Sequence, residues 1–308
     1  MANLSPWHKK MGALSYIMKL KNIKEVIMTK RILSLALAVV MAATTFSFSA
    51  FAADKKEEKK AEKQEISLFE KYNKNVYDAF KNAAKANKGD SALTQKQKEF
   101  ISLAVGIAVK CDACTKTHSK LAVKAGATME ELAEMVGVCV MMGGGPSTAF
   151  GRVALETAKE AGAKEAEKKI ELKPITEFKG ELSKDIVSAN KPEFAKKYAL
   201  IGKNVMQDGY LTVKEKELIS LAIAISVRCD GCMKYHGAQC ARVGVTEAEL
   251  ADLVACCKIM GGGPASPASR TAIKVYQEEK AVMEKEAKEA KEAKTEKKAE
   301  TKTEKKTK

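Results

Sequence analysis

The stretch EFISLAVGIAVKCDACTKTH, residues 99–118, returns at residues 217–236 as ELISLAIAISVRCDGCMKYH. The match extends at a constant offset of 118 residues: positions 94–150 align with 212–268 without a gap, and 27 of the 57 pairs are identical. So long a run at one offset marks a tandem duplication of a unit of roughly 110 to 120 residues. Two such copies on one chain are expected to pack on each other as a pseudo-dimer.

Each copy reads as helix. Residues 95–109 and 213–227 carry apolar side chains at helical spacing and no proline, although their valine and isoleucine content leaves a strand reading open. Thr128 with Glu131, and Thr246 with Glu249, follow the capping-box pattern and open the next periodic stretches, 129–142 and 247–260. Gly143 to Gly145 followed by Pro146, and Gly261 to Gly263 followed by Pro264, are expected to stop those helices. The triple glycine lacks the lysine and hydroxyl that a phosphate-binding loop needs after it. The fold class is therefore all-α, two tandem helical units.

Outside the copies the composition changes. From Met28 the chain has a basic start (Lys30, Arg31), an apolar run, and Ala50 and Ala52 in the pattern that a signal peptidase accepts. Residues 1–52 are read as a leader, with a signal peptide over 28–52 and cleavage after Ala52. Residues 1–27 read as an extension upstream of the true start at Met28. A membrane anchor is the alternative for the apolar run, but Thr44, Thr45, Ser47 and Ser49 interrupt it. The expectation is an exported protein, periplasmic or extracellular, with no stable membrane insertion after cleavage.

Residues 53–65 form a charged linker, 66–170 the first domain, 171–279 the second, and 280–308 a tail of alternating Lys and Glu that reads as solvated helix or disorder. Of the formal net charge of +15, the leader holds +6 and the tail +4. The body is thus only mildly basic, with no aromatic-interleaved patch, and nucleic-acid binding is not expected.

Four residue types recur in register: Glu99, Cys111, Cys114 and His118, then Glu217, Cys229, Cys232 and His236. The chain has three histidines and His8 lies in the leader, so both remaining ones sit four residues after the second cysteine of a pair. On a helix, Cys111, Cys114 and His118 share one face. An imidazole one turn from a thiol takes its proton and stabilises the thiolate, and a helix N-terminus, with Asp112 or Asp230 as N-cap, favours it further. Continuous helix would leave Glu99 about 18 Å from Cys111 at 1.5 Å per residue. Glu99 reaches the site only if its helix turns near Lys110; it then orients His118 as the carboxylate of a triad orients its imidazole.

The spacing E-x11-C-x2-C-x3-H resembles the alkylhydroperoxidase D-like (AhpD-like) branch of the carboxymuconolactone decarboxylase superfamily, and it occurs twice, covering most of residues 66–279. The resemblance implies an all-helical fold of small units that form homo-oligomers, and thiol peroxidase activity on organic hydroperoxides with a dithiol reductant and no cofactor. It also implies roles. Cys114 and Cys232 attack peroxide and become sulfenic acids, Cys111 and Cys229 resolve them as disulfides, and His118, His236, Glu99 and Glu217 relay protons. Some members carry a second histidine between the cysteines, where this chain has Ala113 and Gly231.

Rival readings of the same residues are a Cys/His metal site, which each copy would supply with only three ligands, and a non-catalytic scaffold with structural disulfides. Covalent haem is excluded because Thr115 and Met233, not histidine, follow the second cysteines. Cys139, Cys240, Cys256 and Cys257 are expected to pack in the core, with an accessory disulfide through Cys240 or Cys256 as the alternative.

Overall fold

The computed structural model describes residues 68–304, and of residues 293–304 the backbone only. The leader, its cleavage site and the linker over 53–65 lie outside the described residues. The described chain is helical with no strand: α1 Lys74–Ala86, α2 Gln95–Ala108, α3 Asp112–Lys124, α4 Met129–Glu160, α5 Ile186–Asn190, α6 Pro192–Val205, α7 Val213–Ser226, α8 Asp230–Arg242, α9 Glu247–Gly261 and α10 Ala265–Glu304. None of these helices is long and apolar enough to cross a membrane. The chain divides into two bodies, residues 1–80 and 81–308. In the first, the rings of Phe69 and Tyr77 meet edge to face at 5.8 Å.

The second body contains the repeated segments of both copies. Its centre is the pair of α2 and α7, the two most completely buried helices of the duplicated sequence. Phe100, Ile101, Leu103 and Ile107 of α2 and Ile219, Leu221, Ala224 and Ile225 of α7 are almost wholly buried. Because α2 also meets α9, and α7 meets α4, each copy leans on helices of the other. The packing is reciprocal. Lys98 pairs with Asp252 at 3.5 Å, and its counterpart 118 residues on, Lys216, pairs with Glu134 at 2.8 Å, the counterpart of Asp252. On the internal two-fold, Gln97 Nε2 donates to Glu215 Oε1 at 3.0 Å, and these two positions are themselves counterparts. Only a pseudo-dimer brings a position against its own repeat in this way.

Both expected capping boxes are formed, at Thr128/Glu131 and Thr246/Glu249, and two more occur at Thr94/Gln97 and Thr212/Glu215. The triple glycines act at their middle residue. Gly144 and Gly262 adopt φ of 62°, a left-handed conformation that favours glycine. In the second copy α9 ends there as expected. In the first copy the backbone breaks at Gly144 in the same way, its φ of 62° and ψ of −144° almost those of Gly262, and a new helical segment follows at once, with Pro146 in its first turn, where a missing N–H costs nothing. The Lys/Glu tail is helical as far as Glu304, as the extension of α10.

Candidate active site

The site begins with one residue in an unusual conformation. Lys110 has φ of 59° and Arg228 φ of 57°. Around Lys110, its N–H donates to the Ile107 carbonyl and the Cys111 N–H to the Gly106 carbonyl, which together make a Schellman end to α2. The same pair of bonds, Arg228 to Ile225 and Cys229 to Ala224, ends α7. The chain thereby reverses within three residues and α3 runs back along α2. This is the turn near Lys110 that Glu99 requires. A non-glycine residue in this region costs roughly 1 kcal/mol. Lys110→Gly is therefore expected to raise the urea midpoint by an amount equivalent to about 0.5–1 kcal/mol, because the side chain is exposed and nothing else is lost.

The turn delivers Cys111 and Cys229 in extended conformation as the N-caps of α3 and α8. This corrects the expectation that Asp112 and Asp230 cap these helices. The Schellman turn consumes the last non-helical residue at the cysteine, so each aspartate is already in the first helical turn, where it pairs with Lys116 or Lys234. The cap is made by sulfur: Cys114 N–H points to Cys111 Sγ, and Cys232 N–H to Cys229 Sγ, both at 3.2 Å. Cys111 is bonded to Cys114 and Cys229 to Cys232, so the structure shows both pairs oxidised. All four sulfurs belong to half-buried residues at a helix N-terminus, accessible to a small reactant.

One turn beyond Cys114, His118 Nδ1 lies 2.7 Å from Glu99 Oε2, and His236 Nδ1 lies 2.7 Å from Glu217 Oε2. An ionised carboxylate only accepts, so Nδ1 carries the proton and Nε2 is left as the nitrogen with a lone pair. Glu99 and Glu217 are buried, so each holds its imidazole from beneath. All eight residues singled out by the repeat are thus brought together, four in each copy.

Two contributors were not anticipated. Gln95, one turn before Glu99, donates from Nε2 to Glu99 Oε1 at 2.5 Å while its own Oε1 accepts from Gly89 N–H. Tyr235 stands edge-on to His236, ring centroids 5.0 Å apart. Both occupy positions at which the copies differ, Gln95 against Val213 and Thr117 against Tyr235. The copies differ at 30 of the 57 aligned positions, so a difference alone does not single these two out in the sequence.

Cys139, Cys240, Cys256 and Cys257 are buried and unbonded, as expected for core packing, and the accessory disulfide is not formed. Burial pushes the Cys139 and Cys257 thiols far above their ordinary range; burial first, and the Glu217 carboxylate second, do the same to Cys240. These thiols do not supply thiolate. Among the described residues, no group of three or more His, Cys, Asp and Glu side chains is arranged to hold a metal ion.

The family model for the carboxymuconolactone decarboxylase family matches residues 74–160 and again 192–274. An uncharacterized protein of Cupriavidus necator is 36% identical over 74 residues, which is 24% of this chain and 66% of that protein. An uncharacterized protein of the cox locus of Paracoccus denitrificans is 33% identical over 85 residues, 28% of this chain and 77% of that protein. The crystal structure of an apo carboxymuconolactone decarboxylase family protein from Legionella pneumophila is 28% identical, covers 30% of this chain and 84% of that one, and superposes with a TM-score of 0.30.

Proposed function

The chain belongs to the carboxymuconolactone decarboxylase family, and from that premise we propose that it is a thiol-dependent peroxidase with two sites, one in each copy. The observation that carries this reading is the imidazole held by a buried glutamate one turn beyond a closed Cys-x2-Cys disulfide, repeated with the same 2.7 Å contact in both copies. A disulfide that serves only as a staple has no use for an oriented imidazole. In the reduced protein, His118 Nε2 takes the Cys114 proton. The thiolate attacks one oxygen of the hydroperoxide, the O–O bond breaks, and the alkoxide leaves as alcohol with the proton that His118 held. Cys114 is then a sulfenic acid. The Cys111 thiol gives up its proton and attacks that sulfur, hydroxide leaves as water with the same proton, and the disulfide closes. A dithiol donor reduces it by exchange and carries away the two electrons as its own disulfide. Cys232, Cys229, His236 and Glu217 act likewise.

The leader pattern over 28–52 supports export, so the donor is a dithiol of the periplasmic or extracellular compartment. The test is peroxide consumption by the purified protein with dithiothreitol as electron donor. The Cys114→Ser, Cys232→Ser double variant is expected to fall to the uncatalysed rate, and dimedone is expected to trap a sulfenic acid on Cys114 in Cys111→Ser. Turnover by the double variant at the wild-type rate would overturn the reading and leave a scaffold with structural disulfides.

A further inference from the structure

The two sites share their four reactive residues but not their surroundings. In the first copy Ser119 Oγ donates to the Ala154 carbonyl at 2.6 Å, so a hydroxymethyl group stands between α3 and α4. The counterparts of those residues are Gly237 and Ala272. There, a Cβ built on Gly237 would come within 3.1 Å of the Ala272 carbonyl oxygen, closer than ordinary van der Waals contact. With no side chain in the way, α8 lies tight against α10 and its histidine sinks: the His236 side chain is 9% exposed, against 20% for His118. The deeper imidazole also has an aromatic neighbour. Tyr235 stands at i+3 from Cys232 and His236 at i+4, so both lie one turn beyond the reactive sulfur on the same face. The Tyr235 ring meets His236 edge to face, and the residue is nevertheless 61% exposed. At the corresponding place in the first copy is Thr117, which offers no aromatic surface.

A hydroperoxide must present its O–O end to Cys232, and the exposed residue 235, one turn away on the same face, stands within reach of its organic group. We propose that Tyr235 determines the specificity of the second copy: its ring contacts the organic substituent, so this copy takes aryl and other bulky apolar hydroperoxides in preference to hydrogen peroxide, while the first copy does not discriminate in this way. The inference rests on the peroxidase reading and adds a substrate class to one of its two sites. An aromatic contact of this kind is worth about three- to tenfold in a rate or binding constant.

The test isolates each copy in the full chain, the second with Cys114→Ser and the first with Cys232→Ser. The quantity measured is the ratio of kcat/KM for cumene hydroperoxide to that for hydrogen peroxide, with dithiothreitol as donor. The ratio is expected to be about three- to tenfold higher in the second copy. Tyr235→Thr is expected to remove that difference through KM for cumene hydroperoxide, Tyr235→Phe to keep it, and Thr117→Tyr to confer it on the first copy. Equal ratios in the two isolated copies, or a ratio indifferent to Tyr235→Thr, overturn the proposal and leave the peroxidase reading standing. A second readout needs no turnover: binding of the product alcohol 2-phenyl-2-propanol, followed by saturation-transfer NMR. If neither copy consumes peroxide, the peroxidase reading fails and this signal decides. A transfer signal abolished by Tyr235→Thr and retained by Tyr235→Phe supports the aromatic subsite; a signal indifferent to both overturns it.

Discussion

Replacing Glu99 and Glu217 together by glutamine is expected to lower peroxide turnover about a hundredfold, within the range that positioned acid–base groups contribute. The substitution keeps shape and burial but removes the charge that stabilises the imidazolium formed when His118 or His236 takes the thiol proton. The loss is expected to be larger in the first copy. Glu99 uses both oxygens, Oε2 for His118 Nδ1 and Oε1 for Gln95 Nε2. Gln95 cannot turn round to accommodate an amide, because its own Oε1 is committed to Gly89 N–H. A glutamine at 99 has one acceptor for two donors, so either His118 loses its partner or two NH2 groups face each other. Glu217 has Val213 where Glu99 has Gln95, and its replacement can give its single carbonyl to His236 without such a conflict. The check is turnover in each isolated copy. Equal losses in the two copies would sink the role given to Gln95, and a combined loss under twofold would sink the proton relay itself.

That distinction between the copies also marks where sequence reading ends. The duplication, the helices, the capping boxes and the grouping of the eight candidate residues were legible because each leaves a local or periodic trace: a 3.6-residue period, a Thr-x-x-Glu spacing, a recurrence at offset 118. The turn at Lys110 was legible by distance, since Glu99 and His118 meet only if the chain reverses between them. Its chemistry was not. A lysine in left-handed conformation has no sequence signature, and without it Asp112 looked the better cap, whereas the backbone reversal hands that position to Cys111. The glycine triplets, by contrast, were legible: each breaks its helix at the middle residue with nearly the same backbone angles. Least legible were the contacts between copies. Nothing local in the sequence sets Lys98 and Lys216 apart from their lysine neighbours, yet they are 4% and 1% exposed, and their acidic partners lie on helices of the opposite copy.

Those buried lysines give the largest expected effect on stability. Glu134→Ala is expected to cost about 3–5 kcal/mol in urea unfolding, the range for stranding one member of a buried ion pair. Glu134 reaches from α4 into the loop ahead of α7, where it meets Lys216 Nζ at 2.8 Å and accepts the Tyr210 and Leu211 N–H groups at 2.9 and 3.0 Å. Without it Lys216 keeps only the Gln207 carbonyl at 2.6 Å, and the two amides lose their acceptor. Asp252→Ala, the counterpart substitution, removes a similar brace from Leu93 N–H but leaves Lys98 its bonds to Ser91, Gly89 and Asn87, so its cost is expected to be smaller by at least about 1 kcal/mol. Adding Lys216→Met to Glu134→Ala removes the stranded charge and is expected to restore part of the loss, though not the part owed to Tyr210 and Leu211. Since a domain is stable by only about 5–15 kcal/mol, a loss of this size registers plainly as a shift of the midpoint. A cost for Glu134→Ala no greater than that for Asp252→Ala would mean that the Lys216 ammonium finds another partner in the variant, and that the reciprocal ion pairs do not hold the two copies together.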